Sequence, residues 1–597
     1  MTLNTTWDLD PIFSGGSQSP ELHAYLAKIS TDLANLETAG FPARLTGQNM
    51  PLWVEKTQQL YEVGARLTQA SYFVSFLISQ NVKDDKALQL DGQADQLGAQ
   101  LANLWTAFAA RCAQQEDSAW EKLITTTDLK RVAFHLNEQR YLARQKMDPS
   151  LEALVTELAT NGYHAWNRLY GVVSGDKEVQ FQNRPLSLGQ LQSRFMDDSA
   201  RANRQAAFDL FEESWSQLSK ACALALNHQA GFRLTLYKHR QWSSVLKEPL
   251  LKNRLAAATL ETMWQVVDNK SAKLLDYFAA KARLFGVDKL SWFDLAAPVG
   301  EVNKSFSYET AADFVVTNLR QFNPDIANFS RRAIDSRWVE AEDRPGKRAG
   351  AYCATVPVLG QPRIFMTYNG SYNGMLTLAH ELGHGYHGWV MRDLPYGARR
   401  YSMSVAETAS TFNELIVSNA ALQAVESDQE RLSILGAKLN DAASFLMDIR
   451  ARFDFELAFF AQRPHQQLSV EELCELMVTA QRRAFKEGLA RYHPYFWASK
   501  LHFYITDTPF YNFPYTFGYL FSNGLYAQAR LEGKAFRERY IALLRDTGSM
   551  TTEDLAKTHL GLDLTQPDFW ETAVDRVLDD VDSFCSLVDR LYPPQKS

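Results

Sequence analysis

Cysteine is scarce in this chain: five residues in 597, at Cys112, Cys222, Cys353, Cys474 and Cys585, with no C-x-x-C pair. An odd, sparse set in so long a chain fits a reducing compartment and argues against a disulfide framework. Long apolar runs are missing too. No stretch of about 18 uncharged apolar residues exists, which removes a membrane-spanning helix. The opening segment, MTLNTTWDLDPIFSGGS, has no basic stretch followed by an apolar one. No signal peptide is therefore expected, and the expected location is cytoplasmic. Excess positive charge is absent as well: 62 Lys and Arg stand against 69 Asp and Glu, a net charge of −7. With no long basic tract, nucleic acid is not an expected partner, and the mild acidity serves solubility. There is no repeat of fixed period and no low-complexity segment.

What is present is a large core and helical periodicity. The chain is 46% hydrophobic, and it exceeds the size at which a single core stops growing, so two or more subdomains are expected. Leu97, Leu101, Leu104 and Phe108 form one stripe at helical spacing; Phe208, Phe211, Trp215, Leu218 and Cys222 form another. Such stripes predict amphipathic helices over most of the first 285 residues and a mainly α fold. A polar interruption, SGDKEVQFQNRPLSLGQL (174–191), predicts a boundary between an N-terminal helical subdomain, 1–185, and a catalytic domain, 186–597. A Gly- and Pro-rich stretch, 342–370, ends in RIFMTYN. Its alternation of Ile364, Met366 and Tyr368 against Phe365, Thr367 and Asn369 predicts a strand. A short sheet there could take an extended peptide as one more strand, with Met366 and Tyr368 as candidate contacts; a merely structural hairpin reads as well.

The chemistry begins immediately afterwards, in TLAHELGHGYHGW (377–389). His380 and His384, four apart, share one face of a helix, so both imidazoles can reach one zinc ion. Glu381 beside them can take a proton from zinc-bound water. His387 lies about 10 Å along the axis from His380, too far for both to bind one ion. The elongated metzincin pattern fails here, because Val390 stands where its third histidine belongs. His387 is therefore expected to pack or to support a ligand. A third ligand must come from elsewhere, and SVAETASTFNELIVS offers Glu407 and Glu414. Glu407 would complete a His₂Glu site and Glu414 would orient a histidine. Glu407 also reads as the end of a capping box begun by Ser404.

These residues resemble a known family. HELGH with AETASTFNE, preceded by GKRAGAY and PRIFMTYNG, is similar to the oligoendopeptidase F branch of the thimet-oligopeptidase-like zinc peptidases. The N-terminal TWDLDPIF and a C-terminal aromatic block extend the likeness over nearly the whole chain. The resemblance implies a helical clamshell with a deep central channel and a small β-sheet beside the H-E-x-x-H helix. It also implies one Zn²⁺ with Glu407 as third ligand, and short peptides as substrates.

The aromatic block, residues 492–526, holds 14 Phe, Trp or Tyr in 35 positions, well above the 12% of the whole chain. Peptide hydrolysis develops an oxyanion that a donor must stabilise, and the related peptidases place a histidine and tyrosines in this region for that purpose. His502 and Tyr515 are the leading candidates here, followed by Tyr504, Tyr511 and Tyr519; the alternative is that these rings simply line or pack the channel. GKRAGAYC, with Gly350, Ala351 and Tyr352, is a candidate substrate-contacting loop; it lacks the full P-loop pattern. Cys353 has no nearby histidine in sequence and is expected to pack. The expected activity is an oligoendopeptidase. One rival is a C-terminal exopeptidase, which would use Arg348 or Arg399 to hold the terminal carboxylate. A more distant rival is a non-catalytic peptide-binding protein; the intact Glu381 argues against it.

Overall fold

The computed structural model describes residues 3–300 and 305–593. Helices dominate, as the stripes predict: one covers Asp85–Ala113 and another runs 39 residues, Arg201–His239, burying Phe208, Phe211, Trp215 and Cys222 along one side. None of the described helices is long and apolar enough to cross a membrane. Two compact units share the chain, each built from three segments. The first takes Met1–Lys146, Lys304–Ala420 and Gln528–Gly561; the second takes Met147–Asn303, Ala421–Ala527 and Leu562–Ser597. The linear division at 185/186 is not where these units part. The polar interruption there forms a hairpin of β1 (Glu178–Phe181) and β2 (Arg184–Ser187) within the second unit. Gln182 and Asn183 both have positive φ, 51° and 62°, in its two-residue loop, as a type I′ turn requires.

In the first unit a three-stranded sheet has the order β3 (Val339–Glu340), β5 (Gln361–Phe365), β4 (Tyr352–Val356). β5 pairs parallel with β3 and antiparallel with β4. The N-terminal segment from Thr5 through TWDLDPIF braces this sheet: Ala341 N–H donates to Thr5 O at 2.6 Å, and Trp7 N–H reaches the Glu340 carboxylate at 3.2 Å. Trp7, Ile12 and Phe13 are buried in the unit's core.

The strand expected at 364–369 thus lies earlier, and β5 is the middle strand. Beyond Phe365 the chain continues to pair on one side only, Met366 N–H with Glu340 O and Tyr368 N–H with Ala341 O, each at 2.9 Å. Met366 and Tyr368 are buried, so they do not offer the peptide-pairing edge expected of them. Among the described residues, the outer edge of β4 is paired with no other strand. Ile364 N–H points to Trp338 O on the β3 side, which makes Cys353–Ile364 a non-hydrogen-bonded pair of the β4–β5 ladder. Cys353 and Thr355 therefore turn their backbone N–H and C=O groups outward.

The metal-motif helix, Tyr372–Val390, packs on β4 and β5. Ser371 caps it, its hydroxyl accepting from Gly374 N–H at 3.0 Å. Two glycines let its neighbours approach closely. A Cβ on Gly388 would stand 1.9 Å from Thr355 Oγ1 in β4, and one on Gly383 would stand 2.4 Å from Ala409 O. The second contact brings the helix Thr408–Ala424 against the histidines.

Candidate active site

His380 and His384 project from one face of the motif helix with their Nε2 atoms 3.1 Å apart. Glu407 sits at the break between the short helix Met403–Ala406 and the helix Thr408–Ala424. Its Oε2 lies 3.4 Å from His380 Nε2 and 3.3 Å from His384 Nε2. Its carboxylate thus faces the histidines. Three donors held about 2.0–2.1 Å from one ion at tetrahedral angles stand about 3.3 Å from each other. The observed 3.1, 3.3 and 3.4 Å are those of three vertices of such a tetrahedron, so the donor set fits a divalent metal ion.

Two neighbours orient these ligands. Glu414 Oε1 is 3.4 Å from His380 Nδ1, the nitrogen that ligation through Nε2 leaves to donate. Ser410 Oγ donates to Glu407 Oε2 at 2.8 Å. Ser410 was not anticipated; its only sequence signal is a hydroxyl three residues after the ligand. Asn413, also not anticipated, ties the two helices by donating to Ala379 O at 3.2 Å.

The electrostatics fit a cation. Burial opposes charge on His380, yet its bond to Glu414 and the charges of Glu414, Glu407 and Glu381 push it up to about 9. Burial likewise opposes charge on Glu407, but the bond and charge of His384, the charge of His380 and the Ser410 bond hold it down to about 2. An ion taking the imidazole lone pairs would displace the His380 proton. Glu381 is buried and its Oε2 has no hydrogen-bond partner. Burial raises its pKa, against the lowering pull of His380 and His384.

His387 stands apart from the cluster. It is fully buried and stacks on Tyr401 at 4.2 Å. Its Nε2–H serves Leu544 O at 3.1 Å and Thr547 Oγ1 at 2.8 Å, tying the motif helix to the helix Phe536–Asp546 and its end. Burial, with the charge of His384 second, pushes it down to about 3, so it is neutral. Cys353 is no thiolate: burial and then the Glu381 charge raise its pKa well above the ordinary value.

Of the substrate-loop candidates, Gly350 (φ 98°) and Ala351 are exposed, and Tyr352 begins β4 with its hydroxyl 2.8 Å from Ser79 Oγ. Lys347 is spent on structure, donating to Glu342 O at 2.6 Å and Met366 O at 2.8 Å. Arg399 is spent likewise, on Leu394 O at 2.7 Å and Pro357 O at 2.8 Å. Arg348 is exposed.

The aromatic block belongs to the second unit, and its members have different fates. Tyr504 is fully buried, stacked 3.7 Å from Tyr170 with its hydroxyl on Trp497 O at 3.2 Å. It is a core residue, contrary to its candidacy. Tyr519 stacks on Phe445 at 4.4 Å. Tyr511 and Tyr515 are partly exposed, and Tyr515 O–H donates to the Tyr511 hydroxyl at 3.2 Å. The Tyr511 ring lies 4.6 Å from that of His502.

His502 has the opposite polarity to the one expected. Arg452 Nη1 donates to Asn512 Oδ1 at 2.9 Å, which fixes that atom as the oxygen. His502 Nδ1, 2.5 Å from the same oxygen, must then donate to it. Burial, and the charges of Lys500 and Arg452 against the Asn512 bond, push His502 down to about 4. In the neutral ring Nε2 is an acceptor, and donation from it to an oxyanion requires the protonated imidazole. The loop leading to Tyr511 is anchored just before it. Phe510 holds φ at 52°, and its amide bonds the buried Glu456 carboxyl, which burial pushes up to about 8.

The chain is similar to known proteins over most of its length. Residues 194–576 match the family described as Peptidase family M3, and residues 113–177 match Oligopeptidase F. Oligopeptidase PepF of Bacillus subtilis is 24% identical over 497 residues, 80% of this chain and 73% of the relative. Group B oligopeptidase PepB of Streptococcus agalactiae is 24% identical over 587 residues, 95% and 94% of the two chains. The crystal structure of oligoendopeptidase-F from Enterococcus faecium superposes with a TM-score of 0.70 at 19% identity, over 96% of this chain and 99% of that one. With the M3 match covering well over half of its length, the chain belongs to peptidase family M3 and is a metallopeptidase of the oligoendopeptidase F branch.

Proposed function

We propose that this oligopeptide endopeptidase is zinc-dependent and hydrolyses internal bonds of short peptides with Glu381 as general base. One observation carries the reading: a buried carboxylate oxygen of Glu381 has no partner beside a His₂Glu set spaced as three corners of a tetrahedron. A purely structural zinc site is fully ligated and has no use for such a base. His380, His384 and Glu407 would hold the ion. When bound, zinc lowers the pKa of a water and polarises the scissile carbonyl.

Glu381 takes the proton from the attacking water and passes it to the leaving amine. Its raised pKa suits both halves of that task. Glu414 and Ser410 keep His380 and Glu407 in their ligating orientations. The outward N–H and C=O groups of Cys353 and Thr355 on β4 are assigned to the peptide backbone, with Gly350, Ala351 and Tyr352 leading into that edge. Tyr511 and Tyr515, whose hydroxyls remain at partly exposed residues, are assigned the donor role toward the oxyanion.

The test is mass spectrometry of a mixed oligopeptide pool with zinc-loaded protein, beside Glu381→Ala with its metal content measured. Internal cleavage by the wild type, absent from a variant that keeps its zinc, is the expected result. Stepwise shortening from the C-terminus would replace the endopeptidase with an exopeptidase. Loss of zinc from Glu381→Ala would make that residue structural.

A further inference from the structure

Beside the metal cluster the first unit contains a cavity of about 600 Å³, within the range of sites that hold small ligands or side chains. His384, Thr355, Tyr72, Tyr401, Arg399 and Arg400 are among the residues that line it. The cavity therefore extends from a metal ligand along the exposed edge of β4. Its floor includes Gly388, where the motif helix comes closest to Thr355.

Two adjacent guanidiniums serve this space differently. Arg399 is committed to the carbonyls of Leu394 and Pro357. Arg400 is exposed, and among the described residues no carboxylate, carbonyl or hydroxyl pairs with its side chain. Two acidic residues stand nearest to it in sequence, each seven positions away: Asp393 is held by Arg545 through two bonds of 2.8 and 2.9 Å, and Glu407 faces His380 and His384. A guanidinium presents a planar fork of donors that matches a carboxylate in two parallel hydrogen bonds. Here that fork lines a peptide-sized cavity next to the reacting centre, beside the tyrosines Tyr72 and Tyr401.

We propose that this cavity is a carboxylate-accepting subsite, in which Arg400 pairs with an acidic group of the bound peptide and so selects among substrates. The inference rests on the peptidase reading of the adjacent site. Two sources supply the same chemistry: an Asp or Glu side chain within the peptide, or its C-terminal carboxylate. The first makes Arg400 a determinant of sequence preference. The second makes it a gauge of the distance from the cleaved bond to the peptide's end.

A single peptide series separates these sources. The parent is acetylated, amidated and free of acidic residues. One set replaces Gln by Glu at successive positions, and another replaces the terminal amide by a free carboxyl. The zinc-loaded wild type is expected to favour the acidic member of one pair by about tenfold in kcat/KM, a ratio that shrinks with added salt. Arg400→Ala should bring that ratio to about one, Arg400→Lys should keep part of it, and Arg400→Glu should invert it in favour of Lys at the same position.

Binding of fluorescent, uncleaved members to zinc-loaded Glu381→Ala, with and without Arg400→Ala, reads the same ratio independently of turnover. Failure of the wild type to cleave any member would overturn the peptidase reading while the binding ratio still judged the subsite. Equal treatment of every acidic and neutral pair, or a preference that persists in Arg400→Ala, would overturn the subsite.

Discussion

The metal cluster and the aromatic block are both dense in functional side-chain types, yet they are organised on different principles. At the metal cluster, two ligands and the base lie within five consecutive residues of one helix, and helix geometry alone puts the ligands side by side. In the aromatic block, tyrosines of equal chemistry are separated by their surroundings. Tyr504 is sealed against Tyr170, whereas Tyr511 and Tyr515 keep their hydroxyls together at partly exposed residues. The difference teaches that a pair of ligands on one helix is a local property of sequence, while a third ligand or a hydrogen-bond donor is made or unmade by its tertiary neighbours. His502 makes the point most sharply, since Arg452, 50 positions earlier, decides through Asn512 which of its nitrogens carries the proton.

The comparison can be broken most severely at the cluster. His384→Ala should release the metal and abolish turnover, as read by metal analysis of the purified variant. Stoichiometric zinc in it would mean that the ligand pair is not local after all. Next in size, Tyr515→Phe should lower kcat by about 10²- to 10³-fold with little change in KM, whereas Tyr504→Phe should leave kcat near that of the wild type. Equal losses in the two would erase the distinction between sealed and available tyrosines. Glu414→Gln should weaken zinc affinity by about 10- to 100-fold while the ion still binds, a shift that competition with a chelator measures. The smallest change belongs to His387→Leu, which removes the imidazole bonds to the Leu544 carbonyl and the Thr547 hydroxyl while those two groups keep their bond to each other. It should cost about 1–3 kcal/mol in denaturant unfolding and leave metal stoichiometry at one.

How far sequence reached follows from the same contrast. The helical stripes were legible because burial repeats with the helix period, as Phe208, Phe211 and Trp215 show. The clustering of His380 with His384 was legible from their spacing, whereas spacing left Glu407 open between a ligand and a cap, and the family resemblance singled it out. Strand position was not: Arg363 to Met366 are buried on both faces, so the alternation that suggested 364–369 begins only where two-sided pairing ends. The units were also hidden, because each gathers three separated segments and the polar interruption marks a hairpin instead. Arg400 was hidden behind Arg399; nothing in the pair Arg-Arg tells which guanidinium the Leu394 and Pro357 carbonyls will occupy.

Gly383 carries a consequence for how such motifs vary. In H-E-x-x-H the two middle positions are written as free, but here one of them sets a gap that is narrower than a methyl group. The helix that starts just after Glu407 can rest where it does only because position 383 adds no thickness. Affinity for the ion is therefore partly a question of clearance between two helices, adjustable without altering any atom that binds metal. A lineage could retune its metal by changing that spacer, and its ligands would read as invariant throughout.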